Sequence, residues 1–233
     1  MLSGIAIIPS APVLVPALSG AAAAEVAELT AACVAAAALL PHRWIVLGCR
    51  DGGDSERVWG PESSGTFAGF GVDVRVHLAP AAGEPRPPAA LPVCALIAGW
   101  VRGQAQPQAS AQVRTYRADL DPDVARATGR RLRADIEQSR DPIGVLVVAD
   151  GANTLTPAAP GGYDPGNAGA QDALDDALAG GDVAALRRLP DQILGRVAFQ
   201  VLAGLAEPGP RSAKDLYRGA PYGVGYFAGA WQP

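Results

Sequence analysis

The residues of this chain that could do chemistry sit where apolar runs end. Asp150 follows the run 145–148 and opens the polar turn 150–154, which also carries Asn153. A carboxylate there could move a proton, or could cap the turn by accepting from the amides of Gly151 to Asn153. Cys49 ends the run 44–49, just before Asp51 and Asp54. One thiolate and two carboxylates could hold a metal, although a free cysteine at a strand end also packs as a small hydrophobe. Ser10 follows the run 2–8 and Pro9. Its hydroxyl becomes a nucleophile only beside a base, and neither His42 nor His77 is placed to be one, so an ordinary loop serine is the plainer reading. Asp51, Gly52, Gly53 and Asp54 have the composition of a phosphate or cation loop, and equally of a common Gly/Asp turn. Tyr163 and Asp164 shape a Pro/Gly loop, and Tyr222 and Tyr226, separated by small residues, are expected to wall a crevice.

The elements that must position these residues follow from hydrophobic period. Runs 2–8, 44–49 and 143–149 are continuously apolar, as strands buried on both faces are. Residues 72–78 alternate, which predicts a half-buried or edge strand, and 111–117 is a further strand candidate. Helices are expected over 19–40 with Ser19 as cap and Pro41 as stop, 93–103, 122–137 behind Asp121, 172–178, 182–189 capped by Asp182, and 191–205. Residues 79–92 read as an irregular connection, and the glycine-studded 222–228 as a closing strand. Buried strands alternating with helices imply an α/β fold: one three-layer α/β/α domain over 1–233, with a mainly parallel or mixed central sheet. Sites in such sheets lie beyond the carboxyl ends of the strands, where residues 9–10, 49–54 and 150–154 should converge.

The stretch 145–167, VLVVADGANTLTPAAPGGYDPGN, resembles class III extradiol ring-cleavage dioxygenases of the B-subunit type (the protocatechuate-dioxygenase beta-subunit type). In that family a strand runs into a turn G-D-x-S-H-x-L and a loop ending G-Y-D-P. Asp150, Leu155 and Gly162-Tyr163-Asp164-Pro165 match, and Asn153 stands where the family has its catalytic histidine. The opening IAIIPSAPVLVPAL is similar to V-P-H-x-P-x-L-x-P, with Pro9, Pro12, Leu14 and Pro16 matching and Ser10 at an iron-ligand position. The second strand, which in the family ends S-P-H, here ends Gly48-Cys49-Arg50. The Gly-Gly-Asp at 180–182 and the closing APYGVGYF also resemble the family. Its carboxylate ligand would fall near Gln192 and Ile193, where only Asp191 is acidic.

The resemblance implies Fe(II) held by two imidazoles and one carboxylate, with a base to move protons during ring opening. Ser10, Arg50 and Asn153 cannot supply this: an arginine stays protonated, and an asparagine exchanges no proton near neutrality. The expectation is a pseudoenzyme, a non-catalytic homologue with no cofactor that retains a binding crevice. Its pocket candidates are Ser10, Cys49, Asp51, Asp54, Asp150, Asn153, Tyr163 and Tyr222. One alternative is an active oxidoreductase or hydrolase with a non-family metal site at Cys49, Asp51, Asp54 and Asp150. Another is a subunit of a dioxygenase-like complex, because the family's B subunits often work with a small partner.

Composition narrows the class. Hydrophobic residues make up 49% and charged residues 18% of 233, the balance of a compact, alanine-rich folded chain. A net charge of −4, with Arg126, Arg130, Arg131 and Arg133 interleaved with acids, argues against nucleic acid. No uninterrupted apolar run is long enough for a membrane helix, and the start lacks a basic leader. Three cysteines, Cys33, Cys49 and Cys94, without paired spacing suggest a reducing cytoplasm. The expected partner is a small molecule or another protein, a homo-oligomer included.

Overall fold

The computed structural model describes residues 1–80 and 87–233. In chain order it runs β1 (Leu2–Ile8), α1 (Pro16–Ser19), α2 (Ala27–Ala38), β2 (Arg43–Arg50), β3 (Glu56–Trp59), β4 (Ser64–Thr66) and β5 (Arg75–His77). There follow α3 (Val93–Ala105), β6 (Ser110–Arg117), α4 (Pro122–Glu137), β7 (Ile143–Val148), α5 (Ala168–Gly180) and α6 (Val183–Leu186). The chain closes with α7 (Arg196–Ala206), β8 (Ser212–Gly219) and β9 (Tyr226–Gln232).

Continuous apolar runs must be covered on both faces, and the chain does this by placing them at the centre of a seven-stranded sheet. The order is β3-β6-β2-β7-β1-β9-β8. β6, β2, β7 and β1 are parallel neighbours; β3 pairs antiparallel with β6, β9 antiparallel with β1, and β8 antiparallel with β9, so that β3 and β9 alone run against the central strands. β7 is buried along its whole length. Alternate strand residues point to opposite faces: Ala6, Ile8, Val46 and Val148 pack under α2 and α3. Ile5, Ile7, Leu47 and Val147 pack under α4, α5, α6 and α7. The fold is therefore a three-layer α/β/α arrangement on a mixed sheet.

Several elements differ from expectation for local reasons. The helix expected over 19–40 is broken into α1, a 3-10 turn over Gly20–Ala24 and α2. Gly20 takes φ +53°, and the Ser19 hydroxyl donates back to the Val13 and Val15 carbonyls instead of capping. The last helix starts at Arg196, not 191, because the Leu194 and Gly195 amides are drawn to the carbonyls of Gly151 and Asp150. The closing strand starts at Tyr226, not 222, because Gly223 and Gly225 bond the turn that follows β7. α5 is longer than expected, beginning at Ala168, and α6 shorter, ending at Leu186. The strand expected over 72–78 is reduced to β5, paired with β4 in a separate two-stranded ribbon. Of the irregular 79–92 connection, residues 81–86 lie outside the described residues.

Asp121 caps α4 as expected, its Oδ1 accepting from the Asp123 and Val124 amides at 2.9 and 3.1 Å. Asp121→Ala should cost about 1 kcal/mol, read as a lowered urea midpoint with unchanged slope.

Candidate functional site

The crevice is set by the chain path. After β1 the chain passes to the α2 and α3 face, and after β7 to the α5–α7 face. Neighbouring strands whose connections leave to opposite sides open a cleft at their carboxyl ends. Across this cleft the Ser10 amide donates to Asp150 Oδ1 at 2.8 Å. The expected convergence of residues 9–10 with 150–154 is therefore direct. The Asp150 carboxyl does not cap its own turn: the Ala152 amide goes instead to Gln171 Oε1, at 2.8 Å.

Asp150 follows β7 in the alternation that turns Val148 toward the α2 and α3 layer, and its electrostatic neighbours match. Cys33 from α2, Cys94 from α3, Cys49 from β2 and Tyr226 from β9 all feel its charge. Protein encloses the carboxyl on most sides, although part of the residue still reaches solvent. Burial raises its pKa to about 7, against the pull of the Ser10 amide. Burial likewise raises Cys49 to about 11 and Cys94 to about 12, and pushes Cys33 higher. For Cys49 the Ala198 and Val197 amides and Arg196 oppose that rise without cancelling it. All three thiols therefore stay protonated near neutrality, which deprives them of nucleophilic character. Gly48 is required here, because a side chain at that position would run into the Cys94 sulfur.

The remaining candidates scatter. Arg50 folds onto its own loop, donating to the carbonyls of Gly52 and Asp54. Asp51 and Asp54 are exposed on that loop. Among the described residues no group of three or more His, Cys, Asp or Glu is placed to hold a metal, so Cys49, Asp51, Asp54 and Asp150 do not assemble into the alternative centre. Asn153 engages Gly161 through its carbonyl at 3.0 Å, with its side chain against the same glycine. Tyr163 is 55% exposed on the loop, and Asp164 caps the following turn through the Gly166 amide. Tyr222 lies at the rim, its hydroxyl donating to Glu25 Oε2 at 3.0 Å.

Gln171, Cys33 and Cys94 are the contributors that sequence reasoning missed. Gln171 is buried on α5, donates to Asp175 at 2.9 Å, and packs so closely on Gly151 and Gly225 that a side chain at either would displace its amide group. It pins the turn after β7 to the turn before β9. Burial raises Asp175 to about 6, against the Gln171 bond and Arg218. The available signal was a glutamine in register with Leu174 and Leu178 on an apolar helix face.

The iron set implied by the resemblance does not fit these residues. Ser10 offers only a hydroxyl, the Arg50 guanidinium stays protonated and is bonded to its loop, and Ile193 is buried and apolar. Asp191 is exposed and pairs with Arg196 at 3.2 Å. His42 and His77 are exposed, the first ahead of β2 at the far end of the sheet, the second on the β4–β5 ribbon.

No family model matches this chain, and no curated protein matches it. Among solved structures it is similar to that of the uncharacterized protein JW3007 from Escherichia coli K12, with a TM-score of 0.54 at 10% identity. The match covers 98% of this chain and 99% of that one. The likeness is one of fold. No helix among the described residues is long and apolar enough to cross a membrane.

Proposed function

We propose that this chain is an extradiol-dioxygenase-like protein that has dispensed with the iron chemistry and uses the crevice at the ends of β1 and β7 to bind a small molecule. The observation that carries the reading is the Ser10–Asp150 bridge. At the place where the resemblance puts a metal ligand, the chain instead spends its backbone on holding a single buried carboxyl. A lone carboxyl, with no group of three or more metal-binding side chains among the described residues, suits a recognition group better than a metal centre. The three free thiols support residence in a reducing cytoplasm.

The test is anaerobic reconstitution with Fe(II), Zn(II) or Mn(II), desalting, metal analysis, and oxygen uptake with protocatechuate. Retention far below one metal per chain and no catechol-dependent oxygen uptake are expected. Stoichiometric retention, or ring cleavage by the Fe(II)-treated protein, would overturn the proposal.

A further inference from the structure

We infer that the crevice is a site for a small organic cation, an ammonium group seated on the Asp150 carboxylate with its carbon body against tyrosine rings. The inference rests on the binding reading above and names its ligand class. Asp150 takes the Ser10 amide on Oδ1, and no arginine or lysine among the described residues pairs with it. The groups facing it from each packed element are the Cys33 thiol of α2, the Cys94 thiol of α3, the Cys49 thiol of β2 and the Tyr226 phenol of β9. All four are neutral near pH 7 because burial raises each of them. Arg196, at the start of α7 beyond Cys49, is tied to Asp191 and to the Ala118 carbonyl.

Tyr226 supplies the second observation. It is 6% exposed, yet its hydroxyl bonds no described residue while lying within electrostatic reach of Asp150. Gly225, its chain neighbour, is bonded to both Gly151 and Ala152, which brings Tyr226 beside the Asp150 turn, and the Tyr226 hydroxyl is not among the fully buried unpaired atoms, so it stands open to a ligand in the crevice. The rim repeats this chemistry. Tyr222 is bonded to Glu25, Tyr217 is within reach of Glu28, and both tyrosines act on Tyr226. Arg218, next to Tyr217 in β8, is held by Asp176 and Asp215 at 2.9 Å each. Aromatic rings and carboxylates attract a positive ligand by charge and by the ring quadrupole, and repel an anion. A bare metal ion would find too few ligands grouped here.

Benzylamine, benzyl alcohol and benzoate share one body and differ in charge, so calorimetric or saturation-transfer titration with all three is decisive. At pH 8 benzylamine should bind about tenfold more tightly than benzyl alcohol, and benzoate should not bind. Asp150→Asn, which keeps an oxygen for the Ser10 amide, should weaken benzylamine about tenfold and leave benzyl alcohol unchanged. Tyr226→Phe, which keeps the ring, should weaken benzylamine severalfold. Because Asp150 titrates at about 7, its proton must leave before the cation docks, so affinity should fall about tenfold from pH 8 to pH 6. No benzylamine binding, binding equal to that of benzyl alcohol, or indifference to Asp150→Asn would overturn the inference. Each of these outcomes would leave the iron-free reading standing, since metal retention alone tests that.

Discussion

Gly129→Ala should lower stability by about 3 kcal/mol, or roughly 6–12 °C in melting temperature for a chain of this size. Gly129 in α4 and Gly204 in α7 let these two helices cross with backbone against backbone. A methyl group on Gly129 would overlap the Val201 carbonyl and crowd the Leu205 amide, and one on Gly204 would overlap the Arg126 carbonyl. Main-chain atoms cannot rotate away as a flexible side chain can, so the helices must separate and give up packing between the layer and the sheet. Alanine favours the isolated helix by up to about 1 kcal/mol, so the observed loss is net of that gain. Gly103→Ala on α3 is the control: nothing lies near its added methyl group, so the same exchange there should stabilise by about 0.5–1 kcal/mol. Gly129→Ala and Gly204→Ala together should cost less than the sum, because both act on one helix separation. Urea denaturation of the four variants checks all of this.

Asp150→Asn should stabilise the protein at pH 8 by as much as about 4 kcal/mol, and much less at pH 5. The folded pKa of about 7 lies above the unfolded value of 3.8, so folding favours the protonated acid. Asp150 therefore contributes most stability below about pH 4 and loses it as pH rises toward 7, with no further change above. The amide is neutral throughout and still offers an oxygen to Ser10, so it removes this pH dependence while keeping the 2.8 Å bridge. The stability gap between variant and wild type, read from urea denaturation, should widen by roughly 2–3 kcal/mol from pH 5 to pH 8. Parallel midpoints at the two pH values would show that the carboxyl is solvated. The same substitution is expected to cost ligand affinity, a trade typical of a binding site held at some expense to the fold.

What could be read in advance follows burial. β1, β2 and β7 were legible because strands covered on both faces must be apolar throughout, and α4 because Asp121 and Pro122 mark its start. β3 and β8 were not, because Glu56, Arg57, Lys214, Asp215 and Arg218 give them the look of loops. The start of α7 was hidden because Leu194 and Gly195 spend their amides on a turn more than forty residues earlier in the chain. In the site, Ser10, Cys49 and Asp150 were legible as the ends of parallel strands. Cys33, Cys94 and Gln171 were not, since each sits on a helix among apolar neighbours and only the folded layers bring it to the crevice. Asp51 and Asp54 lie exposed on their loop, and a Gly/Asp turn reads the same in sequence whether it faces a ligand or water.

The charged margins of the sheet have a consequence for self-association. β3 and β8 carry the outermost rungs of the ladder, and β8 is additionally kinked where its register shifts between Asp215 and Tyr217. Another strand arriving in the plane of the sheet would have to bury Glu56 and Arg57 on one side, or Lys214, Asp215 and Arg218 on the other, while matching a bent edge. Growth of the sheet from copy to copy, the route by which exposed strand margins turn into fibres, is thus opposed at both ends by the residues that made those strands hard to recognise.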